Sequence, residues 1–151
     1  MKQEVLNKKL PTFVEVIRGA NESDDPVGYL KSAIKEDPRI VNILGYAANP
    51  KAKMPLPEGI PPYIPSEYPL GVAEVEILHL ANKLYVLFGE APKHRKEHMF
   101  IQWLEKMNAD EAQLLVAVKD QDIQSLYPKI GEYVIVDSLG WDRQMYESMK
   151  K

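Results

Sequence analysis

At 151 residues, 45% hydrophobic and 27% charged, the chain has the size and composition of one globular domain with enough apolar material for a core, which excludes disorder along its whole length. A net charge of -3 counts against a broadly electropositive nucleic-acid binder but leaves room for a local basic patch. The lack of cysteine excludes disulfides, zinc–thiolate centres and thiol catalysis within the chain.

Residues 2–9 read as a short polar helix, and Met1-Lys2-Gln3-Glu4-Val5 lacks the apolar core of a signal peptide. Pro11 can open a second helix through Phe13, Val14, Val16 and Ile17 that stops near Gly19. Asp25 followed by Pro26 is a cap-then-proline start for a stripe of Val27, Leu30, Ala33 and Ile34. Asp37-Pro38 repeats the device ahead of Ile40, Val41, Ile43, Leu44 and Tyr46, and that helix ends before Pro50.

Seven prolines between Pro50 and Pro69 forbid a regular helix or central strand. The spacing of Leu56, Ile60, Tyr63, Ile64 and Tyr68 favours an extended segment pinned to the body over a free linker. No PxxP core with a flanking Arg marks it as a peptide ligand. From Val72 to Phe88 the pattern predicts the longest helix, with Val75, Leu78, Ala81, Leu84, Tyr85 and Phe88 along one buried side. Glu90 to Lys96 reads as a polar connection.

The chain is organised around His98 to Lys119. Met99, Phe100, Trp103, Leu104 and Met107 recur at helical spacing, and Ala112, Leu114, Leu115 and Val118 resume the pattern after Asn108. Asn108 can cap the second helix, with Glu111 three residues on as its capping-box partner. Asp120 to Pro128 is a turn holding Ile123, Leu126 and Tyr127. Ile130 to Leu139 contains Tyr133-Val134-Ile135-Val136, a strand by propensity, but no partner strand is evident and a lone strand cannot satisfy its backbone, so a helix is expected. Gly140 follows, then a short terminal helix over Trp141 to Lys151. The expectation is an all-α fold, a single helical domain over 1–151, with residues 1–10 and 141–151 peripheral. No run of about 18 apolar residues exists, so no membrane span is expected and the default location is cytoplasmic.

The chemistry is sparse. His94-Arg95-Lys96-Glu97-His98 matches the H-x-x-E-H pattern of one class of zinc peptidases, but three neighbouring cations would repel a divalent ion, and chance accounts for it better. His79 reads as a partly buried polar residue. There is no phosphate-binding G-x-x-x-x-G-K and no G-x-S-x-G elbow, and pairing any two carboxylates as acid and base would be arbitrary. No enzyme activity, cofactor, metal or small-molecule substrate is expected. Two basic clusters remain: Lys51 and Lys53 after a helix stop, and Lys93, His94, Arg95 and Lys96 where a helix begins. A helix start with exposed amides beside Lys and Arg suits a phosphate, and a solvated loop is the plainer alternative.

The order of Lys51-Ala52-Lys53-Met54-Pro55-Leu56-Pro57-Glu58-Gly59, Phe100 to Met107, Asp110-Glu111-Ala112-Gln113-Leu114-Leu115 and Val118 to Ile123 resembles the N-terminal helical DNA-binding domain of ATP-dependent DNA ligases, especially those of T-even-type phages. It is also similar to an uncharacterised family of small phage proteins. The likeness spans roughly residues 27 to 141 and rests on helix patterns. It implies an all-α body that grips duplex DNA through the minor-groove backbone, with the Lys51–Lys53 turn and the Lys93–Lys96 loop on phosphates and Lys119 as a weaker contact. The lysine-centred K-x-D-G motif is missing, so ligation is not implied. The resemblance instead implies a replication or repair accessory, in the host cytoplasm if phage-encoded. The rival expectation is a protein–protein adaptor or inhibitor that uses the Pro/Tyr segment with Trp141, Met145 and Tyr146.

Overall fold

A computed structural model describes residues 10–151; the helix expected over 2–9 lies outside them. Among the described residues there are seven α-helices and no strand. They are α1 (Phe13–Glu22), α2 (Pro26–Glu36), α3 (Arg39–Ala48), α4 (Lys93–Glu105), α5 (Ala109–Lys119), α6 (Glu132–Leu139) and α7 (Arg143–Met149), with short 3-10 turns between them.

The helix starts follow local chemistry. α1 is opened by Thr12 rather than Pro11, through a reciprocal box. The Thr12 hydroxyl accepts from the Glu15 amide at 3.2 Å, and the Glu15 carboxylate accepts from the Thr12 amide at 2.9 Å. The helix runs past Gly19 to Glu22. Thr12→Ala is expected to cost about 1 kcal/mol and roughly 2–4 °C in melting temperature, read by thermal denaturation. Asp25 caps α2 as expected, accepting from the Gly28 amide with Pro26 behind it. At α3 the pattern shifts: Pro38 takes the cap position, and the Asp37 carboxylate instead holds Arg39 through two bonds of 2.8 and 2.7 Å. The Arg39 guanidinium keeps that carboxyl below the usual carboxylate range.

The Val134-Ile135-Val136 run is helical, with Ile135 and Val136 buried. Its end is set by Gly140 at φ +77°, where the Gly140 amide donates to Asp137 and the Trp141 amide to Val136, the paired bonds of a left-handed helix stop.

α5 is the centre. It packs against α1, α3 and α4, and of its eleven residues Glu111, Ala112, Leu114, Leu115, Val116, Ala117, Val118 and Lys119 are all buried. A helix apolar nearly all round belongs in the middle of a core, which is a stronger placement than the single stripe read from the sequence. Asn108 caps it, accepting from the Asp110 and Glu111 amides. Glu111 does not complete the box. Its side chain turns inward and accepts from the Ile77 amide at 3.2 Å.

That bond bears on the main departure from expectation. Residues 72–88 do not form one long helix. They form 3-10 turns over Ile77–Leu80 and Leu84–Phe88, joined by a bend. Two causes are visible. The buried residues Ile77/Leu80 and Leu84/Leu87 repeat at i, i+3, the spacing that a 3-10 turn eclipses. Backbone groups that an α-helix needs are also taken elsewhere: the Val75 amide by Lys106 O, the Ile77 amide by Glu111, and Ala81 O by the Asn42 side chain. Tyr85 and Phe88, expected inside, are 65% and 42% exposed.

The Pro-rich segment is extended and clasped to the body, with Leu56 and Tyr63 serving as the anchors expected of them and Ile60 and Ile64 facing solvent instead. Met54 is buried, and Leu56, Tyr63 and Leu70 pack against the core, whereas Ile60 and Ile64 are 79% and 78% exposed. Hydrogen bonds do the rest. The Ile64 amide donates to Glu105, Ser66 Oγ to Met107 O, and the Asn108 side chain to Tyr68 O.

Candidate nucleic-acid interface

The basic cluster at 93–96 is not a loop but the first turn of α4, so the polar connection shrinks to Glu90–Pro92. Pro92 needs no amide partner, and Lys and Arg are good helix formers, which moves the start forward. Pro92 supplies no side-chain cap. Its carbonyl takes the Arg95 and Lys96 amides, leaving those of Lys93 and His94 without an acceptor among the described residues. Lys93, His94 and Arg95 are exposed and Lys96 is half-buried. Among the described residues, no carboxylate lies in ion-pair range of Lys93, Arg95, Lys96 or Lys51. Cations in a first turn oppose the helix dipole, at a cost of about 0.3–1 kcal/mol each. An anion seated there would reverse the sign.

Lys51 sits exposed in the 3-10 turn Pro50–Ala52, where the Asn49 side chain accepts its amide. Lys53 is already paired with Glu58. Glu58 and Glu97 line opposite walls of a cavity of about 260 Å³ between the Pro57–Pro62 loop and α4. Lys93 stands one turn before Glu97 on the same helix face. Lys51, Lys53 and Lys93 are not among the residues that line this cavity.

Lys119 must be removed from the phosphate-contact set. It is 2% exposed, and its ammonium donates to Pro57 O at 2.7 Å, Gly59 O at 2.9 Å and Asp120 Oδ1 at 2.5 Å. Nothing remains of it to reach solvent. Its work is internal: with Asp120, which accepts from the Gly59 amide at 3.1 Å, it closes the loop in which Gly59 adopts φ +89°. Nothing local in the sequence marks this, because the two carbonyls come from some sixty residues upstream.

His94 and His98 are both exposed on α4, while Glu97 faces the Pro-rich loop. Among the described residues no group of three His, Asp or Glu side chains is placed to hold a metal. His79 is half-exposed, 3.9 Å from the Glu76 carboxylate.

The surface expected for an adaptor is only partly assembled. Met145 is 60% exposed, but Tyr146 is 3% exposed. Its hydroxyl donates to Glu132 at 2.7 Å, and burial with that carboxylate pushes the phenol up to about 12. Trp141 packs partly against the core. Sequence reasoning missed a different surface: an open groove of about 600 Å³ lined by Val41, Tyr46, Tyr85 and Trp141, beside which Phe88 stacks on Tyr46 with ring centres 5.8 Å apart. No sequence signal could have found it, because helical spacing over 72–88 sends Tyr85 and Phe88 inward.

Among the described residues no helix is long and apolar enough to cross a membrane. Neither the curated proteins nor the solved structures contain a match to the chain, so neither comparison supports the likeness to the ligase domain. One family model matches, over residues 13–125, which takes in α1 through α5 and the clasped Pro-rich segment. On that match the chain belongs to DUF6433, a family of unknown function.

Proposed function

We infer that this chain is a non-enzymatic accessory protein that binds duplex nucleic acid through the first turn of α4, with the Lys51 turn as a second foothold, in the manner of a phage-type replication or repair factor. The observation that carries the reading is the state of that turn. Lys93, His94 and Arg95 are exposed at an uncapped helix start, and no carboxylate among the described residues neutralises the Lys or Arg side chains. Contacts of this kind position a protein on the backbone without reading sequence. On a body of net charge -3 they make a short, salt-sensitive grip rather than a long one.

The test is duplex-DNA binding across a salt series. Four phosphate contacts, from Lys51, Lys93, Arg95 and Lys96, give a log–log slope of about -3 to -4, or roughly a hundredfold loss of affinity between 50 and 200 mM salt. Arg95→Ala with Lys96→Ala should lower affinity and make the slope shallower by about 2. No binding at low salt would end this reading. The aromatic groove between α3 and Tyr85 favours a second reading, a protein–protein adaptor without DNA contact.

A further inference from the structure

The geometry points to a head-to-tail contact between copies of this chain, in which the Ile60–Pro65 ridge of one copy lies in the groove lined by Tyr46, Tyr85 and Trp141 of the next. Both halves stand on the molecule. The ridge alternates: Ile60, Pro62 and Ile64 face solvent, while Pro61 and Tyr63 turn toward the body. The result is a narrow apolar edge of branched and proline side chains on a segment that is itself neither helix nor strand. Proline-rich extended segments dock in grooves walled by aromatic rings, where flat faces pack against pyrrolidine rings and little chain entropy is lost. The groove supplies such walls, with Tyr85 65% exposed.

Charge agrees with this pairing. Lys83 is exposed two residues from Tyr85, and Glu67 is exposed two residues beyond Pro65; neither has an ion pair among the described residues. The Glu67 charge that follows the ridge and the Lys83 charge near Tyr85 in the chain are of opposite sign, which favours the pairing between copies.

The ridge cannot turn back into its own groove. It is tied before Ile60 by the Gly59 bonds to Asp120 and Lys119, and after it by the bonds from the Ile64 amide to Glu105 and from Ser66 to Met107. The same ties preorganise it for an outside partner, which reduces the ordering cost of association. Groove and ridge are different surfaces, so the contact is heterologous: each added copy leaves one of each free, giving a chain or a closed ring. An interface of this small size is weak, which places association in the micromolar range or above.

Sedimentation velocity without nucleic acid, from low to several hundred micromolar, tests this independently of DNA binding. The weight-average mass of the wild type should rise with concentration above the 17.2 kDa of one chain. Ile64→Asp and Tyr85→Ala each change an exposed side chain, so both fold, and each alone should stay at the mass of one chain. Mixed in equal amounts they should form dimers and nothing larger. The Tyr85→Ala chain keeps a working ridge and the Ile64→Asp chain a working groove, so one contact forms and cannot propagate. The inference is overturned if the wild type stays monomeric throughout, if either variant associates as the wild type does, or if the mixture fails to pair.

Discussion

Lys119→Met is expected to lower the stability of the fold by about 3 kcal/mol, or roughly 6–12 °C in melting temperature, and to leave duplex-DNA affinity unchanged. Methionine keeps the methylene stem and removes the ammonium. Three acceptors then lose their donor at once: Pro57 O, Gly59 O and Asp120 Oδ1. The Asp120 side chain is only 18% exposed, so its charge is left largely out of water with the Gly59 amide as the bond that remains. Removing one partner of such a pair costs more than the pair contributes over an apolar replacement, because the other charge stays behind unpaired.

Two measurements separate this role from a phosphate contact. Hydrogen exchange at the Gly59 amide should speed up in the variant, because the loop it closes is no longer clasped. The salt slope of DNA binding, measured well below the melting temperature, should not move. A shallower slope with unchanged stability would restore Lys119 to the interface and remove it from the clasp.

The elements that could be read in advance are those whose determinants lie within a turn or two of chain. Asp25 ahead of Pro26, Asn108 ahead of α5 and Gly140 behind α6 each act on amides or carbonyls within a few residues, so sequence and structure agree there. The stretch 72–88 was not legible in the same way. Its apolar spacing is compatible with an α-helix, but the acceptors and donors that intercept its backbone belong to Lys106, Glu111 and Asn42, far off in the chain. Misreading that element also hid the groove, since Tyr85 and Phe88 are surface residues only once the helix is broken.

The candidate interface divides along the same line. The cations of α4's first turn could be identified from sequence as residues at a helix start. That Lys119 is consumed by carbonyls from residues 57 and 59, and Lys53 by Glu58, depends on how the Pro-rich segment folds back. Gln121 is a further case. It adopts φ +56°, uncommon for a residue other than glycine, and its side-chain amide donates to Tyr46 O at 2.9 Å and Asn49 O at 2.6 Å, tying the end of α5 to the end of α3.

Glu111→Gln should stabilise the protein at pH 8 by about 2 kcal/mol and flatten its stability between pH 5 and pH 7. Glu111 is 1% exposed; one carboxylate oxygen accepts from the Ile77 amide, and the other has no partner among the described residues. Burial dominates its protonation and pushes the carboxyl from 4.5 up to about 7. The Ile77 amide pulls the other way, the nearby Glu76 charge adds to the rise, and smaller influences come from the Val14 amide, which lowers it, and the Glu15 charge, which raises it. The sign depends on which state holds the proton. Below 4.5 both folded and unfolded chains are protonated there, and the group contributes nothing to the balance. Between 4.5 and about 7 the folded chain keeps a proton that the unfolded chain has released, so stability falls as pH rises. Above that window the loss is complete and constant, at about 3 kcal/mol. Glutamine keeps the acceptor for Ile77 and carries no charge. Its amide nitrogen inherits the unpartnered position, which is why the expected gain is smaller than the whole penalty. Glu111→Ala behaves oppositely, because it orphans the Ile77 amide and opens a cavity at the start of the central helix; it should destabilise by about 2–4 kcal/mol at pH 5, where the wild-type carboxyl is neutral. Denaturant unfolding of the three proteins at pH 5, 6, 7 and 8 reads both arms. A Glu111→Gln protein that is less stable than wild type at pH 8, with the wild-type slope between pH 5 and pH 7 intact, would show that this carboxyl is ionised at no stability cost and that the pH dependence arises elsewhere.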